Sequence, residues 1–139
     1  MDIEIRAYER DDEEQVVDLW QSCNLVMPQN DPRRDIQLKL DQQPDMFLVG
    51  VIENRVAATV MVGYDGHRGW INYLAVAPAV RRQGVGRQMM REAELRLREL
   101  GCPKINLQVR SSNPAVIAFY ERIGFSVDNV VSMGMRLPE

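Results

Sequence analysis

In the stretch VAPAVRRQGVGRQMMREAELRLREL, residues 76–100, Arg81, Arg82, Arg87 and Arg91 surround Gly84 and Gly86, with no acid before Glu92. An apolar strand end, a glycine turn and a helix in that order make a ready anion site. The first helical N–H groups are free and the dipole presents its positive end there. Glycine lets the backbone approach the anion without a Cβ in the way. The simpler alternative is a tight turn with solvated arginines. The chain as a whole carries a formal charge of −3, so the positive charge is local. It suits one small polyanion rather than a nucleic acid, which needs a broad basic face.

Two familiar phosphate-binding patterns do not fit. A Walker-type loop needs a lysine and a Ser/Thr at the helix start, and the only lysines are Lys39 and Lys104. A dinucleotide turn wants a third glycine where Met89 stands, inside a βαβ unit that opens the domain. A second candidate pair lies downstream. Asn113 and Tyr120 are seven residues apart, nearly two helical turns, and so share one side of a helix. Val116, Phe119 and Ile123 make the same segment readable as a plain core stripe. His67 falls in a turn and is expected to be structural or exposed. Cys23 and Cys102 have no nearby histidine and no metal-ligand spacing, so neither a zinc site nor a cysteine nucleophile is expected.

The elements that must hold these residues follow from periodicity. DIEIRAYE alternates as a strand. Asp11 or Asp12 can cap a helix burying Val16, Leu19, Trp20 and Cys23. Asp31 caps a second helix with Pro32 at its first position and Ile36, Leu38 and Leu40 as apolar bulk. MFLVGVIE, RVAATVMVGY and WINYLAVAP read as an antiparallel meander turning at Glu53-Asn54-Arg55 and at Asp65-Gly66. A long helix then carries Val85, Met89, Ala93, Leu97 and Leu100 and stops at Gly101. KINLQV is a strand, and NPAVIAFYERIG a helix from Asn113 to Gly124. Strands near 125–128 and 130–137 are expected to close the chain. The order is β-α-α-β-β-β-α-β-α-β-β, an α/β (α+β) mixed, mostly antiparallel sheet of about seven strands with four helices on its faces. The length of 139 residues suits one domain over 1–139.

At this point the chain resembles the GNAT N-acetyltransferases. LAVAPAVRRQGVGRQMM is similar to their motif A, with Arg81, Gly84 and Gly86 in its key places, and NPAVIAFYERIGF to their motif B, with its asparagine, tyrosine and Gly-Phe. The element order also matches the GNAT fold, so the resemblance covers nearly the whole chain. GYDGHRGW further resembles the small YpeA-like bacterial branch, near the ribosomal-protein N-terminal acetyltransferases. The resemblance implies acetyl-CoA as donor, its pyrophosphate on the amides around Arg82, Gln83, Gly84, Val85, Gly86 and Arg87. It implies a bulge in YLAV that splays this strand from INLQV, freeing N–H groups of Leu74, Ala75 and Val76 for the pantetheine arm and the thioester carbonyl. It also implies that Tyr120 protonates the leaving CoA thiolate and that Asn113 contacts the cofactor.

The sequence departs from relatives at one place. Where the ribosomal-protein branch carries a glutamate in an LEVR-like segment, this chain reads Leu107-Gln108-Val109-Arg110. Glutamine cannot accept a proton, and Asn72 and Tyr73 on the preceding strand are not obvious bases. A site without a carboxylate base suits an α-amine of pKa ~8 better than a lysine of ~10.4. The expectation is therefore an acetyl-CoA-dependent N-acetyltransferase acting on a small molecule or peptide N-terminus, with residues 24–30 and the final hairpin lining the acceptor pocket. The alternatives are a non-catalytic acyl-CoA-binding or sensing module and, more remotely, a nucleotide-binding regulator. No metal, nucleic acid or membrane partner is expected, nor an apolar run of membrane-spanning length. A cytoplasmic monomer or homodimer is expected.

Overall fold

The computed structural model describes residues 2–138. The chain forms two compact units, Met1–Gln108 and Val109–Glu139. The first holds β1 (Glu4–Ala7), α1 (Glu13–Ser22), α2 (Pro32–Gln42), β2 (Phe47–Ile52), β3 (Arg55–Tyr64), β4 (Gly69–Val76), α3 (Val85–Glu99) and β5 (Ile105–Leu107). Its five strands lie side by side in chain order, antiparallel from β1 to β4, with β5 parallel to β4 across the α3 connection. The β2–β3 turn has two residues, Glu53 (φ 51°) and Asn54 (φ 64°), both left-handed as a type I′ hairpin requires. At the β3–β4 turn the Asp65 carboxylate accepts from the amides of His67 (2.8 Å) and Arg68 (2.7 Å).

Strand alternation sorts the core onto two faces. Phe47, Val49, Met61 and Ala75 pack against Val16, Val17, Leu19 and Trp20 of α1 and Ile36 of α2. The other face receives α3 through its buried Val85, Met89, Met90, Ala93 and Leu97. Burying side chains of this size contributes roughly 1.5–3 kcal/mol each. The approach is close: a Cβ at Gly50 would lie 2.9 Å from Met89 Sδ, and one at Gly69 2.7 Å from Leu97 Cδ1. Leu100, expected in that stripe, is exposed at the helix end.

Local signals set the helix ends. In α1, α3 and α4 (Pro114–Arg122) the residue beyond the C-cap is left-handed: Asn24, Gly101 and Gly124. Each helix closes with the paired bonds of a Schellman motif, such as Cys102 N–H to the Leu97 carbonyl and Gly101 N–H to that of Arg98, both 3.0 Å. Asp31 caps α2, accepting from the amides of Arg33 and Arg34. Of that helix's apolar residues only Ile36 is buried. The Lys39 ammonium ties α2 to the sheet through the Val62 carbonyl, and burial lowers its pKa.

The expected cap at Asp12 is corrected. Asp12 stands at the N-cap position without a side-chain cap bond. Its carboxylate instead takes both Arg6 guanidinium nitrogens (2.8 and 3.0 Å) and the Glu9 amide (2.8 Å). Burial pushes its pKa up, and those bonds outweigh that and hold it below the usual carboxylate value.

The second unit contains α4, with Asn113 at its N-cap and Pro114 at its first position. The two closing strands expected at 125–128 and 130–137 do not form among the described residues, so the sheet has five strands rather than about seven. Val127, Val130, Val131, Met133, Met135 and Leu137 favour strand or burial by composition, yet each is at least 77 % exposed. A strand is stabilised by a ladder partner more than by propensity, and this unit's other element is a helix.

Candidate active site

The β4 bulge is the structural centre of the site. Asn72 pairs with Met61 and Ala75 with Thr59, so Tyr73 and Leu74 together oppose Val60 alone. Tyr73 takes up the surplus in the left-handed region, at φ 52°. That conformation costs a non-glycine residue roughly 1–3 kcal/mol. It is held from two sides. The Tyr73 ring stacks on Trp20 at 3.8 Å, and the buried Thr59 hydroxyl donates to the Tyr73 carbonyl at 2.8 Å. Trp20 Nε1–H donates to that same hydroxyl at 2.9 Å, which fixes its direction. The parallel β4–β5 ladder ends at Ile71–Leu107, so β5 does not follow β4 through Leu74, Ala75 and Val76. Of these three only Ala75 is buried.

Beyond β4 the chain makes a short 3-10 turn, Pro78–Val80, then turns sharply through Arg82 (φ 67°) and Gly84 (φ 79°) into α3. Such left-handed residues at a helix start point successive N–H groups into one concavity, an anion-binding nest. Buried Val85 anchors the turn from below. Above it, a Cβ at Gly84 would meet nothing within 4 Å. The first turn of α3 holds no acid. Among the described residues Arg82, Arg87 and Arg91 join no ion pair, and all three are exposed. Gln83 is exposed beside them and Gly86 lies in the first turn. These features fit a phosphate group. Arg81 is engaged within the protein instead. Its Nε donates to the Val76 carbonyl at 3.2 Å and its Nη2 to Cys23 Sγ at 3.4 Å.

A polar cluster that sequence reasoning missed adjoins the bulge. The Tyr73 hydroxyl donates to Asp35 Oδ2 at 2.5 Å and accepts from Asn30 Nδ2 at 2.8 Å. Asn30 Oδ1 accepts from the Met27 amide at 2.7 Å. Burial first, and the Asp35 carboxylate second, push the Tyr73 phenol above its ordinary pKa. The left-handed Tyr73 could not be read from sequence, but its place at the head of YLAV, where a bulge was expected, was a usable signal.

In the second unit Asn113 Oδ1 accepts from the Val116 amide at 3.4 Å and so caps α4. Tyr120 is buried on that helix, its ring edge-on to Phe119 (5.1 Å) and Phe125 (5.5 Å). Burial pushes its phenol up to about 12. Gln108 is exposed just past β5, and His67 is exposed on its turn, as expected. No helix among the described residues is long and apolar enough to cross a membrane, and those residues contain no cluster fit to hold a metal ion.

The profile of the acetyltransferase (GNAT) family matches residues 13–125. The chain is 45% identical over 138 residues to an acetyltransferase of Sodalis glossinidius, covering 99% of this chain and 97% of that one. It is 43% identical over 137 residues to an acetyltransferase of Pectobacterium atrosepticum, with the same coverage of 99% and 97%. Among solved structures, Ard1 from Thermoplasma volcanium superimposes with a TM-score of 0.78 at 22% identity, covering 92% of this chain and 85% of that one. The bulged strand running on to the acid-free turn is thus seated in a fold, and among relatives, of one kind: the chain is an acetyltransferase of the GNAT family.

Proposed function

We propose that the protein moves an acetyl group from acetyl-CoA to a primary amine by direct attack within a ternary complex, in one catalytic domain spanning 1–139. The observation that carries this reading is the β4 bulge leading straight into the acid-free turn at the head of α3. The amides from Arg82 to Arg87 hold the pyrophosphate, with the Arg82 and Arg87 side chains adding charge. The N–H groups of Leu74, Ala75 and Val76 take the pantetheine arm and the thioester oxygen. A donor aimed at that oxygen is worth ~10²–10³ in rate, because amine attack builds negative charge there. Acetyl-CoA supplies the activated acyl group and a thiolate leaving group.

The C–N bond forms as the C–S bond breaks, the amine's surplus proton passes to water, and Tyr120 gives its proton to sulfur. A phenol held at about 12 stays protonated at neutral pH, as a donor must. Against a thiol of ordinary pKa ~8.5 the transfer is uphill by about 5 kcal/mol. A thiolate formed in the same apolar surroundings is raised by the same desolvation, which narrows the gap. Asn113 keeps its amide N–H₂ for the cofactor while its oxygen caps α4, and Gln108 orients the water or the amine. The free thiols Cys23 and Cys102 suit a cytoplasmic setting.

The test is release of CoA thiol across a panel of amines, with the acetylated product identified by mass spectrometry. Turnover that rises with pH through the amine's own pKa is expected. Tight acetyl-CoA binding with no acetylated product from any amine would reduce the protein to a binding module. Absence of acetyl-CoA binding would remove the reading altogether.

A further inference from the structure

The Tyr73 cluster is more elaborate than a bulge requires. A phenylalanine would stack on Trp20 equally well, and Thr59 already fixes the Tyr73 carbonyl. The hydroxyl nevertheless sits in a chain of bonds whose every direction is determined. The Met27 amide can only donate, so the atom of Asn30 facing it is oxygen, and the one facing Tyr73 is the amide nitrogen. That nitrogen donates, so the phenol oxygen accepts there and sends its own proton to Asp35. One lone pair of the phenol oxygen is then left, beside a carboxylate. Asp31, at the start of the same helix, adds negative potential at the phenol. Arg33, the basic residue two positions past Asp31, is turned away onto Glu13 (2.5 Å) and Glu14 (2.9 Å) of α1. Asn30, Asp35 and Tyr73 are each only partly buried, so solvent reaches them.

What would complete this arrangement is a cation with N–H donors. We infer that the Tyr73 hydroxyl and the Asp35 carboxylate form the binding point for a primary ammonium group, the acceptor in its protonated state, with Asn30 as a positioning residue. The inference rests on the proposed reading of β4, because Tyr73 immediately precedes Leu74, the first residue given to the thioester. The phenol is not the base. Its proton is committed to Asp35, and the same carboxylate opposes phenolate formation. The pair captures and orients the ammonium, whose proton leaves to water before attack. Acceptors carrying a positive nitrogen are thereby chosen over neutral isosteres.

The cluster can be probed without turnover, since Trp20 reports on the ring stacked against it. Trp70→Phe leaves Trp20 as the sole tryptophan. Its fluorescence is titrated at low ionic strength with n-butylammonium and with n-butanol as the neutral isostere. A saturable response to n-butylammonium is expected, weakened about 10-fold or more by Asp35→Asn and by Tyr73→Phe, with n-butanol weak throughout. Thermal melts establish that each variant is folded, and Asp35→Asn carries the test if Tyr73→Phe is not. Equal responses to the two probes, no response to either, or affinities unchanged in the variants would each overturn the assignment. Acetyl-CoA affinity, measured calorimetrically on the same proteins, separates the two readings. Its absence in the parent protein removes the proposed function and the acceptor role with it, while the n-butylammonium titration still decides whether Tyr73 and Asp35 bind an ammonium group. With an accepted amine in hand, Asp35→Asn should raise the acceptor KM and leave the acetyl-CoA KM unchanged. A fall in kcat alone would also overturn it.

Discussion

Arg81 and Cys23, 58 positions apart, meet at 3.4 Å and both donate to the carbonyl of Val76, at 3.2 Å from Nε and 3.4 Å from Sγ. The last residue of β4 is thus held by a side chain from the turn before α3 and by one from the end of α1. Arg81 orients a peptide group of the protein itself, and on the proposed reading it serves acetyl-CoA through that peptide group.

Arg81→Ala is therefore expected to weaken acetyl-CoA binding by about 10-fold, the scale of one charge-assisted hydrogen bond, with little change in melting temperature because the side chain is exposed. Cys23→Ala, which leaves the stronger donor in place, should have a smaller effect. Calorimetry on both variants checks this. A larger loss from Cys23→Ala would reverse the assignment.

At Gly84 backbone and ligand effects can be separated. Valine there is strained at φ 79° and should cost roughly 1–3 kcal/mol of stability as well as acetyl-CoA binding. Asparagine tolerates the left-handed region, so Gly84→Asn should melt near the parent temperature and still bind poorly, its side chain filling the open space above the turn. Parent-like affinity in a folded Gly84→Asn would show that no anion occupies that space.

Tyr120→Phe should lower turnover by about 10²–10⁴ with acetyl-CoA affinity retained, since the ring still packs on Phe119 and Phe125. Steady-state rates and calorimetry on one preparation decide it. A fully active, equally stable variant would take Tyr120 out of the chemistry.

Tyr8 and Tyr120 also predict an alkaline limit. Burial, the largest cause for each, pushes both phenols up to about 12, above the ordinary ~10. The unfolded chain thus releases these protons first. Their contribution is complete below about pH 10 and is lost as pH rises toward about 12. Urea melts from pH 9 to 11.5 should show falling stability, with a shallower fall in Tyr120→Phe. An identical slope in that variant would contradict the sign or the residue.

What could be read in the sequence was mostly local. Asn24, Glu53-Asn54, Gly101 and Gly124 act within a few residues of themselves, and each turns the chain at or beside the expected place. The glycine turn and the capped helix holding Tyr120 belong to the same class. Asp12 was harder, because a cap and an ion pair compete for one carboxylate and Arg6 won. Contacts across long separations left no trace in spacing: Trp20 with Thr59, Tyr73 with Asp35, Arg81 with Cys23. The closing strands failed for the opposite reason. Their composition favours extension, but composition does not supply a neighbour.

The bulge gives β4 a property that resides in number rather than kind. Between its pairs with Met61 and Thr59 the strand spends two residues where β3 spends one. Exchanging Leu74 for another residue changes a side chain and leaves the slack in place. Removing it would set Tyr73 squarely opposite Val60 and draw the ladder straight. On the proposed reading the strand works through its extra length, so a one-residue deletion there removes what a replacement of Leu74 keeps.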